Sequence, residues 1–334
     1  MTKPMLKIID LFSGCGGLSL GFQDEGFDIV LAIDNMATAV EVYKKNFSHE
    51  CKTQDLSDVN DVISMLKDIE HDMIIGGPPC QDFSSAGPRD PDGKRANLTY
   101  SFTDIVIELE PKFFVMENVP NIKNTEILKD ICDQLVKANY GLTAVILNAA
   151  LCEVPQRRKR FFLIGELNSC NNKYLPAMRK RLAEKEMTVG EFFGDKIDFQ
   201  YYYRHPRSYA RRGVYSIDEP SATIRGVDRP IPPDYTVHRG DKADPHTEDV
   251  RVLTSHQRAR IQTFPEDFEF TGIKSIDQIL TGNAVPVKMA SFVASSIKNY
   301  DNDKHVCSYV CKQPMLPDKP LTGVIRPFFP TFEI

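Results

Sequence analysis

Strand-length apolar runs recur through the first half of the chain, separated by stretches of helical spacing. They are LKIIDLF (6–12), DIVLAID (28–34), DMIIGG (72–77), KFFVMEN (112–118) and LTAVILNA (142–149), with RFFLIGEL (160–167) as one more strand. The segments up to about Gly26 and from Asp34 to Phe47 read as helices. TYSFTDIVIELE (99–110) and TEILKDICDQLVKAN (125–139) do so as well. Strands this uniformly apolar have both faces covered, and the intervening helices supply the cover. The expected fold is therefore α/β, a doubly wound, mostly parallel sheet. In such a sheet ligands gather beyond the carboxyl ends of the strands, so motifs at those ends are where function is sought.

The rhythm breaks near residue 167. Pro, Arg and Tyr dominate 199–245. Order returns near 251 with TSHQRARIQTF (254–264), read as helical, and with the amphipathic helix VPVKMASFVASSIKN (285–299). The expected division is a catalytic and cofactor-binding domain at 1–167, a smaller loop-rich region at 168–250, a returning part at 251–300 and a tail at 301–334. With 334 residues, 42% of them hydrophobic, the chain is long enough for one large domain or two. It has no 18-residue apolar run, so no membrane span or membrane partner is expected. The N-terminus lacks a signal-peptide layout. Eight scattered cysteines suggest reduced thiols and a cytoplasmic setting rather than a disulfide framework. Cys307 and Cys311 lack further clustered ligands, and no metal site is expected.

A formal net charge of −5 argues weakly against nucleic acid, but the distribution matters more than the sum. QRRKR (156–160) is strongly basic. FQYYYRHPRSYARRGVYSI (199–217) carries Arg204, Arg207, Arg211 and Arg212 among five tyrosines and no carboxylate. The plain alternative is a solvated surface. Interleaved aromatics without acids favour a nucleic-acid face, where Arg meets phosphates and base edges.

DLFSGCGGLSLGF sets a glycine turn between the first strand and the first helix. Its spacing is G-x-G-G, not the G-x-G-x-x-G of dinucleotide binders. Gly14, Gly16 and Gly17 let backbone approach a ligand, and Asp34 at the end of the second strand suits a ribose diol. The alternative is a structural turn with a helix cap. Asp55 is open between a third contact and the cap region of the helix from Asp58. In IIGGPPCQDFSSAG, Pro78 and Pro79 pre-set the backbone before Cys80. A free Cys is usually a small buried hydrophobe, but one at a strand's carboxyl end beside a cofactor loop is a candidate nucleophile. MENVP supplies Glu117 and Asn118 at another strand end. Arg158 and Arg160, two apart, share a face if extended and can hold carbonyls or phosphates.

DLFSGCGG, GGPPCQDFS, ENV, QRRKR and TGNAVP, in this order and at these spacings, resemble the DNA (cytosine-5-)-methyltransferase family of the bacterial or phage restriction-modification type, over about 6–165 and 250–298. The resemblance implies the S-adenosylmethionine-dependent methyltransferase version of the doubly wound sheet, with S-adenosylhomocysteine as product. It implies cofactor contacts from Phe12, Gly14, Cys15, Gly16, Gly17, Asp34, Asn35, Asp55, Leu56, Pro78 and Leu98, closed by Asn283 and Val285. The Pro-Arg-Tyr stretch corresponds to the family's target-recognition domain. Gln81, Ser84, Arg95, Arg204, Arg207, Arg211 and Arg212 are then expected DNA contacts, with Arg225 and Arg229 reading bases.

The implied mechanism is addition of the Cys80 thiolate to carbon 6 of cytosine, which gives carbon 5 enamine character. Glu117 hydrogen-bonds or protonates ring nitrogen 3. Arg160, supported by Arg158, holds the carbonyl at position 2, and Asn118 orders the loop bearing Cys80. Carbon 5 takes the methyl group, and a base removes its proton to expel the thiolate. The cytosine must be flipped out of the duplex. Double-stranded DNA is the implied partner, with the enzyme acting as a monomer, alongside a cognate restriction endonuclease acting on the same site. The alternatives are a transfer-RNA cytosine-5 methyltransferase, which shares these motifs, and a catalytically silent DNA-binding module. Two departures from the family pattern stand out: DPDGKRANLTYSF (90–102) in place of D-P-R-G-x-L-F, and Thr263 where many relatives carry glycine, which reads as neutral.

Overall fold

The computed structural model describes residues 5–79, 98–206, 208, 211–300 and 330–334. The first half runs β1 (Lys7–Leu11), α1 (Gly17–Asp24), β2 (Asp28–Asp34), α2 (Ala37–Asn46), β3 (Glu50–Thr53), α3 (Val59–Leu66), β4 (Met73–Gly76), α4 (Leu98–Leu109), β5 (Phe113–Asn118), α5 (Glu126–Lys137) and β6 (Tyr140–Asn148). Next come β7 (Gln156–Arg157), β8 (Lys159–Leu167), α6 (Leu175–Arg181), α7 (Val189–Phe193), β9 (Tyr201–Tyr203), β10 (Val214–Ser216), β11 (Ser221–Ala222), β12 (Val250–Val252), α8 (Ser255–Ile261), α9 (Lys274–Asn283), α10 (Val287–Lys298) and β13 (Thr331–Glu333).

The main sheet has eight strands in the order β13-β6-β8-β5-β4-β1-β2-β3. All pairings are parallel except those of β8, which runs antiparallel to both β5 and β6. Successive side chains point to opposite faces. In β5, Phe113 and Val115 join a core with α1, α6 and α10, while Phe114 and Met116 join one with α3, α4 and α5. Both faces are therefore covered, as uniformly apolar strands require. α5 shows why such a segment becomes a helix here. Thr125 caps it by accepting from Leu128 N–H, and Leu128, Ile131, Cys132 and Leu135 bury one stripe. Asn139 in the left-handed region then turns the chain into β6.

The returning segment is part of the same body. α10 lies so close to α1 that a Cβ on Gly21 would collide with Ala290 and the Val287 carbonyl. Leu18 and Phe22 of α1 meet Met289, Ala290 and Val293 in one core.

Four findings depart from the sequence reading. Tyr174, Leu175 and Met178 pack into the main core, so a boundary at 167/168 cuts through the sheet domain's own packing, and the smaller region begins nearer α7. The tail expected at 301–334 contributes a strand, since β13 pairs with β6 at the sheet edge. The short polar β3 extends the opposite edge beside β2. Finally, Cys15, Cys51, Cys132 and Cys152 are buried free thiols, whereas Cys170 is disulfide-bonded.

The smaller region is built on the three-stranded sheet β10-β9-β12, joined to the main body by the β11–β7 pair. Its cores hold Val189, Phe199, Tyr202, Ile224, Leu253 and Ile261 on one side, and Tyr203, Val214 and Tyr235 on the other.

Candidate active site

The parallel strands β1, β2, β4 and β5 end on one edge of the sheet. Because β8 runs the other way, its beginning lies at that same edge, with Asn118 opposite Phe161 and Glu117 opposite Phe162. This direction brings Arg160 to the carboxyl ends of its neighbours. A cavity of about 890 Å3 opens there, within the range of small-molecule sites. Its walls come from the ends of β1 to β5 and the start of β8: the loop after β1, Asp34 at the end of β2, Asp55 after β3, Gly77, Pro78 and Pro79 after β4, Glu117 and Asn118 at the end of β5, and Arg160. Leu98 at the start of α4 and residues 282–285 complete it.

The glycine loop is ordered by Asp34. Its Oδ2 accepts from Gly14 N–H and its Oδ1 from Met36 N–H, both at 2.8 Å. Burial raises its pKa, and those backbone donors pull it back down. Gly16 has φ +95° and lies behind the cavity wall rather than on it. Cys15 and Gly17 line the cavity, though the Cys15 thiol points at the Leu280 carbonyl and burial pushes its pKa up to about 12.

The open question at Asp55 is narrowed. Asp58 caps α3 through Asp61 N–H, and Asp55, accepting from Ser57 N–H at 2.9 Å, lies on the cavity wall. Phe12, Gly14, Asn35, Pro78, Leu98, Asn283 and Val285 all line the cavity. Leu56 is only 2% exposed and packs in the core beneath. Ser57, Met36, Ala39 and Leu280 also line the wall. They were not foreseen, since small and apolar residues at loop positions carry no signature.

At the inner end, Arg160 Nε lies 2.9 Å from Glu117 Oε1. Burial raises the Glu117 pKa, against the opposing pull of Arg160 and Arg158. Asn118 donates from Nδ2 to the Pro78 carbonyl at 3.1 Å and accepts from Val119 N–H, so β5 holds the Pro-Pro segment directly. Arg158 does not share this wall. It is 1% exposed and donates to the carbonyls of Ile224, Gly282 and Ala284 at 2.9, 2.9 and 3.1 Å. Alternation along an extended strand did not bring both guanidiniums to one site. Cys80, with Gln81, Ser84, Arg95 and Arg207, lies outside the described residues.

The reading of the Arg-Tyr stretch as a nucleic-acid face is corrected in part. Tyr202 and Tyr203 are fully buried and form the small domain's core. Arg204 is 3% exposed and donates to the Thr223 carbonyl. Arg212 grips Glu219 with both terminal nitrogens, at 2.8 and 2.6 Å, and stacks over Tyr215. Arg225 donates to the His205 carbonyl. Arg211 and Arg229 are exposed.

A doubly wound sheet with a nucleoside-sized cavity at its strand ends is the architecture of a nucleotide- or nucleoside-dependent enzyme. The chain belongs to the C-5 cytosine-specific DNA methylase family, whose model matches residues 6–299. It is a DNA cytosine-5 methyltransferase, and S-adenosylmethionine dependence goes with that family. The type II methyltransferase M.HindV of Haemophilus influenzae is 51% identical over 298 residues, covering 89% of this chain and 98% of the relative. M.HgiDI of Herpetosiphon aurantiacus is 47% identical over 297 residues, covering 89% and 96%. Two solved structures share the fold. A putative DNA modification methyltransferase from an E. coli prophage has TM-score 0.64 and 24% identity over 89% of this chain and 99% of its own. The S. pombe Dnmt2 methyltransferase has TM-score 0.67 and 19% identity over 90% and 100%. No helix among the described residues is long and apolar enough to cross a membrane.

Proposed function

We propose that this chain methylates carbon 5 of a flipped-out cytosine within a short specific duplex sequence, with Cys80 as nucleophile and Glu117 and Arg160 receiving the base. The carrying observation is the buried Glu117–Arg160 pair in the wall of the cavity that Pro79, the residue before Cys80, also lines.

The cavity suits S-adenosylmethionine on the chemistry of its walls. Asp34 already accepts two backbone donors, but a carboxylate has about four lone-pair sites, which leaves room for a ribose diol. Phe12, Pro78 and Leu98 offer apolar surface to an adenine, and Asn283 and Val285 close the far side. When bound, this group supplies an electrophilic methyl on sulfur.

The chain's own residues do the rest. Cys80 forms a bond to carbon 6. Glu117, whose pKa burial raises against the pull of Arg160 and Arg158, gives a proton to ring nitrogen 3 as charge develops there. Arg160 donates to the carbonyl at position 2 while keeping Glu117 in place. Asn118 fixes the Pro78 carbonyl, so the segment leading to Cys80 does not drift. Addition at carbon 6 opens the 5,6 double bond and makes carbon 5 the nucleophile that takes the methyl group. A base then removes the carbon 5 proton, the double bond re-forms as the carbon–sulfur bond to Cys80 breaks, and ring nitrogen 3 returns its proton to Glu117.

For DNA contact, exposed Arg211 and Arg229 are the better candidates, whereas Arg204 and Arg212 serve the fold. A companion endonuclease sharing the site and a monomer on DNA belong to this proposal, since the relatives at 47–51% identity carry type II names. No observation favours a transfer-RNA substrate.

Bisulfite sequencing of DNA from a methylation-free host expressing this chain is expected to reveal protected cytosines in one short sequence. Protection without sequence preference, or none, overturns the reading. A duplex carrying 5-fluorocytosine at the target is expected to form a denaturation-resistant complex, because fluorine cannot leave as a proton. Cys80→Ala should form none, and a complex that persists in that variant removes Cys80 from the chemistry.

Asp34→Ala loses charge-assisted bonds worth roughly 1.5–3 kcal/mol each and releases the Gly14 and Met36 N–H groups. Calorimetry is expected to show S-adenosylhomocysteine binding weakened by at least about tenfold. Unchanged affinity would make Asp34 a loop-ordering residue only.

A further inference from the structure

Between the cofactor cavity and the smaller domain lies a buried polar cluster that the methyl-transfer chemistry does not use. Gln156 and Gln262 are fully buried and Arg158 is 1% exposed. Gln156 accepts from Ile224 N–H at 2.8 Å and donates to Gln262 Oε1 at 2.7 Å. Gln262 donates to the Thr281 and Ala284 carbonyls at 2.6 and 3.1 Å. One terminal nitrogen of Arg158 donates to the Ile224 carbonyl, and the other to the Gly282 and Ala284 carbonyls.

Two backbone segments distant in sequence are thus tied to one network of three side chains: Arg158 bonds both, Gln156 bonds one and Gln262 the other. One is 281–285, the end of α9 and the two residues after it, of which 282–285 line the cavity. The other is the start of the loop 224–229, which carries Arg225 and the exposed Arg229. The two segments touch: a Cβ on Gly282 would collide with the backbone of Arg225 and Gly226. Further along the loop, Arg258 donates to the Arg225 carbonyl and pairs with Asp228 at 2.9 Å, both nearly fully buried. A buried network of this kind transmits displacement because each member lacks an alternative partner in water.

We propose that Gln156, Arg158 and Gln262 are positioning residues that couple occupancy of the cofactor cavity to the conformation of loop 224–229, and thereby to DNA binding. This rests on the proposed function, with loop 224–229 as part of the DNA-facing surface. Ligand in the cavity fixes the 282–285 wall. The wall, through Arg158 and Gln262, fixes Ile224 and the loop that follows. The linkage is reciprocal, so specific DNA tightens cofactor binding by the same factor. Arg158 is suited to the task because its planar fork spans carbonyls on two segments at once, which a lysine cannot do.

The test is the affinity of a duplex containing the methylated sequence, measured with and without saturating S-adenosylhomocysteine, for the wild type, Arg158→Lys and Gln156→Met. The wild type is expected to bind DNA at least about fivefold more tightly with the ligand present, within the usual range for coupled sites. Each variant is expected to bring that ratio to within about twofold of one while still binding S-adenosylhomocysteine alone. Loss of packing alone would weaken both ligands without removing the ratio. If Arg158→Lys fails to fold, Gln156→Met carries the measurement, since it changes no charge. A wild-type ratio of one, or ratios unchanged in the variants, overturns the coupling. Failure of the wild type to bind S-adenosylhomocysteine or to methylate DNA overturns the proposed function instead.

Discussion

Glu117→Gln is expected to lower kcat by about 10²–10⁴-fold, the usual contribution of a positioned general acid, with S-adenosylhomocysteine affinity nearly unchanged. Gln keeps the shape of the side chain and can still donate a hydrogen bond to ring nitrogen 3, but it has no proton to give. The substitution therefore separates proton transfer from hydrogen bonding. In the wild type, burial raises the Glu117 pKa while Arg160, 2.9 Å away, opposes the rise. The raised value keeps the carboxyl protonated to higher pH than usual. Activity that depends on that proton is present below the folded pKa and is lost as pH rises through it. The wild-type profile of kcat against pH should therefore fall on its alkaline side, and Glu117→Gln should lose that limb. The substitution also changes the group that Arg160 Nε meets at 2.9 Å. Thermal melting and ligand binding must therefore show a folded variant before the rate is read. A folded Glu117→Gln within tenfold of wild-type kcat would strip Glu117 of the proton-donor role.

The residues at strand ends were legible because their signals are local. A glycine run after an apolar strand, an acid closing the next strand, and Pro-Pro before a cysteine each depend on neighbours a few positions away. Gly14, Asp34, Pro78 and Glu117 all line one cavity for this reason, whereas Phe12 and Leu98, which line it too, carry no such local signal. What depended on distant partners was not legible. Arg158 looked like a second guanidinium for the site, yet its partners at Ile224 and Gly282 lie 66 and 124 positions away. Tyr202, Tyr203 and Arg204 looked like a stacking and phosphate surface, because alternating aromatic and basic residues suit either an exposed face or a short buried strand. Thr263, read as neutral where relatives carry glycine, has φ +64°, a conformation that β-branched residues avoid. Its hydroxyl offsets part of that strain by donating to the Gln262 carbonyl and accepting from Lys288 N–H. Nothing in the local sequence announces a backbone angle of this kind. The direction of β8, which brings Arg160 to the site, is set by pairing with β5 and β6 rather than by its own residues.

Stability of the wild type is expected to fall between about pH 4 and pH 8 through Asp10 alone, and Asp10→Asn should remove that component. Asp10 lies within β1, fully buried, opposite Ala32 and Ile75. One carboxyl oxygen accepts from Ser19, which in turn accepts from Tyr43, whose hydroxyl meets His49 Nε2 at 2.7 Å. The other oxygen has no hydrogen-bond partner among the described residues. Burial pushes the pKa from 3.8 up to about 8, and the nearby Asp34 charge adds to the rise, while the Ser19 hydrogen bond opposes it. Between those two values the folded protein holds a proton that the unfolded chain has released. Stability therefore decreases as pH rises through that window and levels off above it. At about 1.36 kcal/mol per pH unit, the full span corresponds to roughly 5 kcal/mol as an upper limit. Asn cannot ionise, so the difference in unfolding free energy between Asp10→Asn and wild type should shift in favour of the variant from pH 5 to pH 9. Glu117 and Cys15 are present in both proteins and their contributions cancel in that difference. The Ser19–Tyr43 chain ties α1 to α2 behind the glycine loop, so a neutral acceptor at position 10 is expected to preserve cofactor binding. Urea unfolding of both proteins at pH 5, 7 and 9 reads the effect. A variant-minus-wild-type difference constant across the three would mean that Asp10 carries the same charge folded and unfolded.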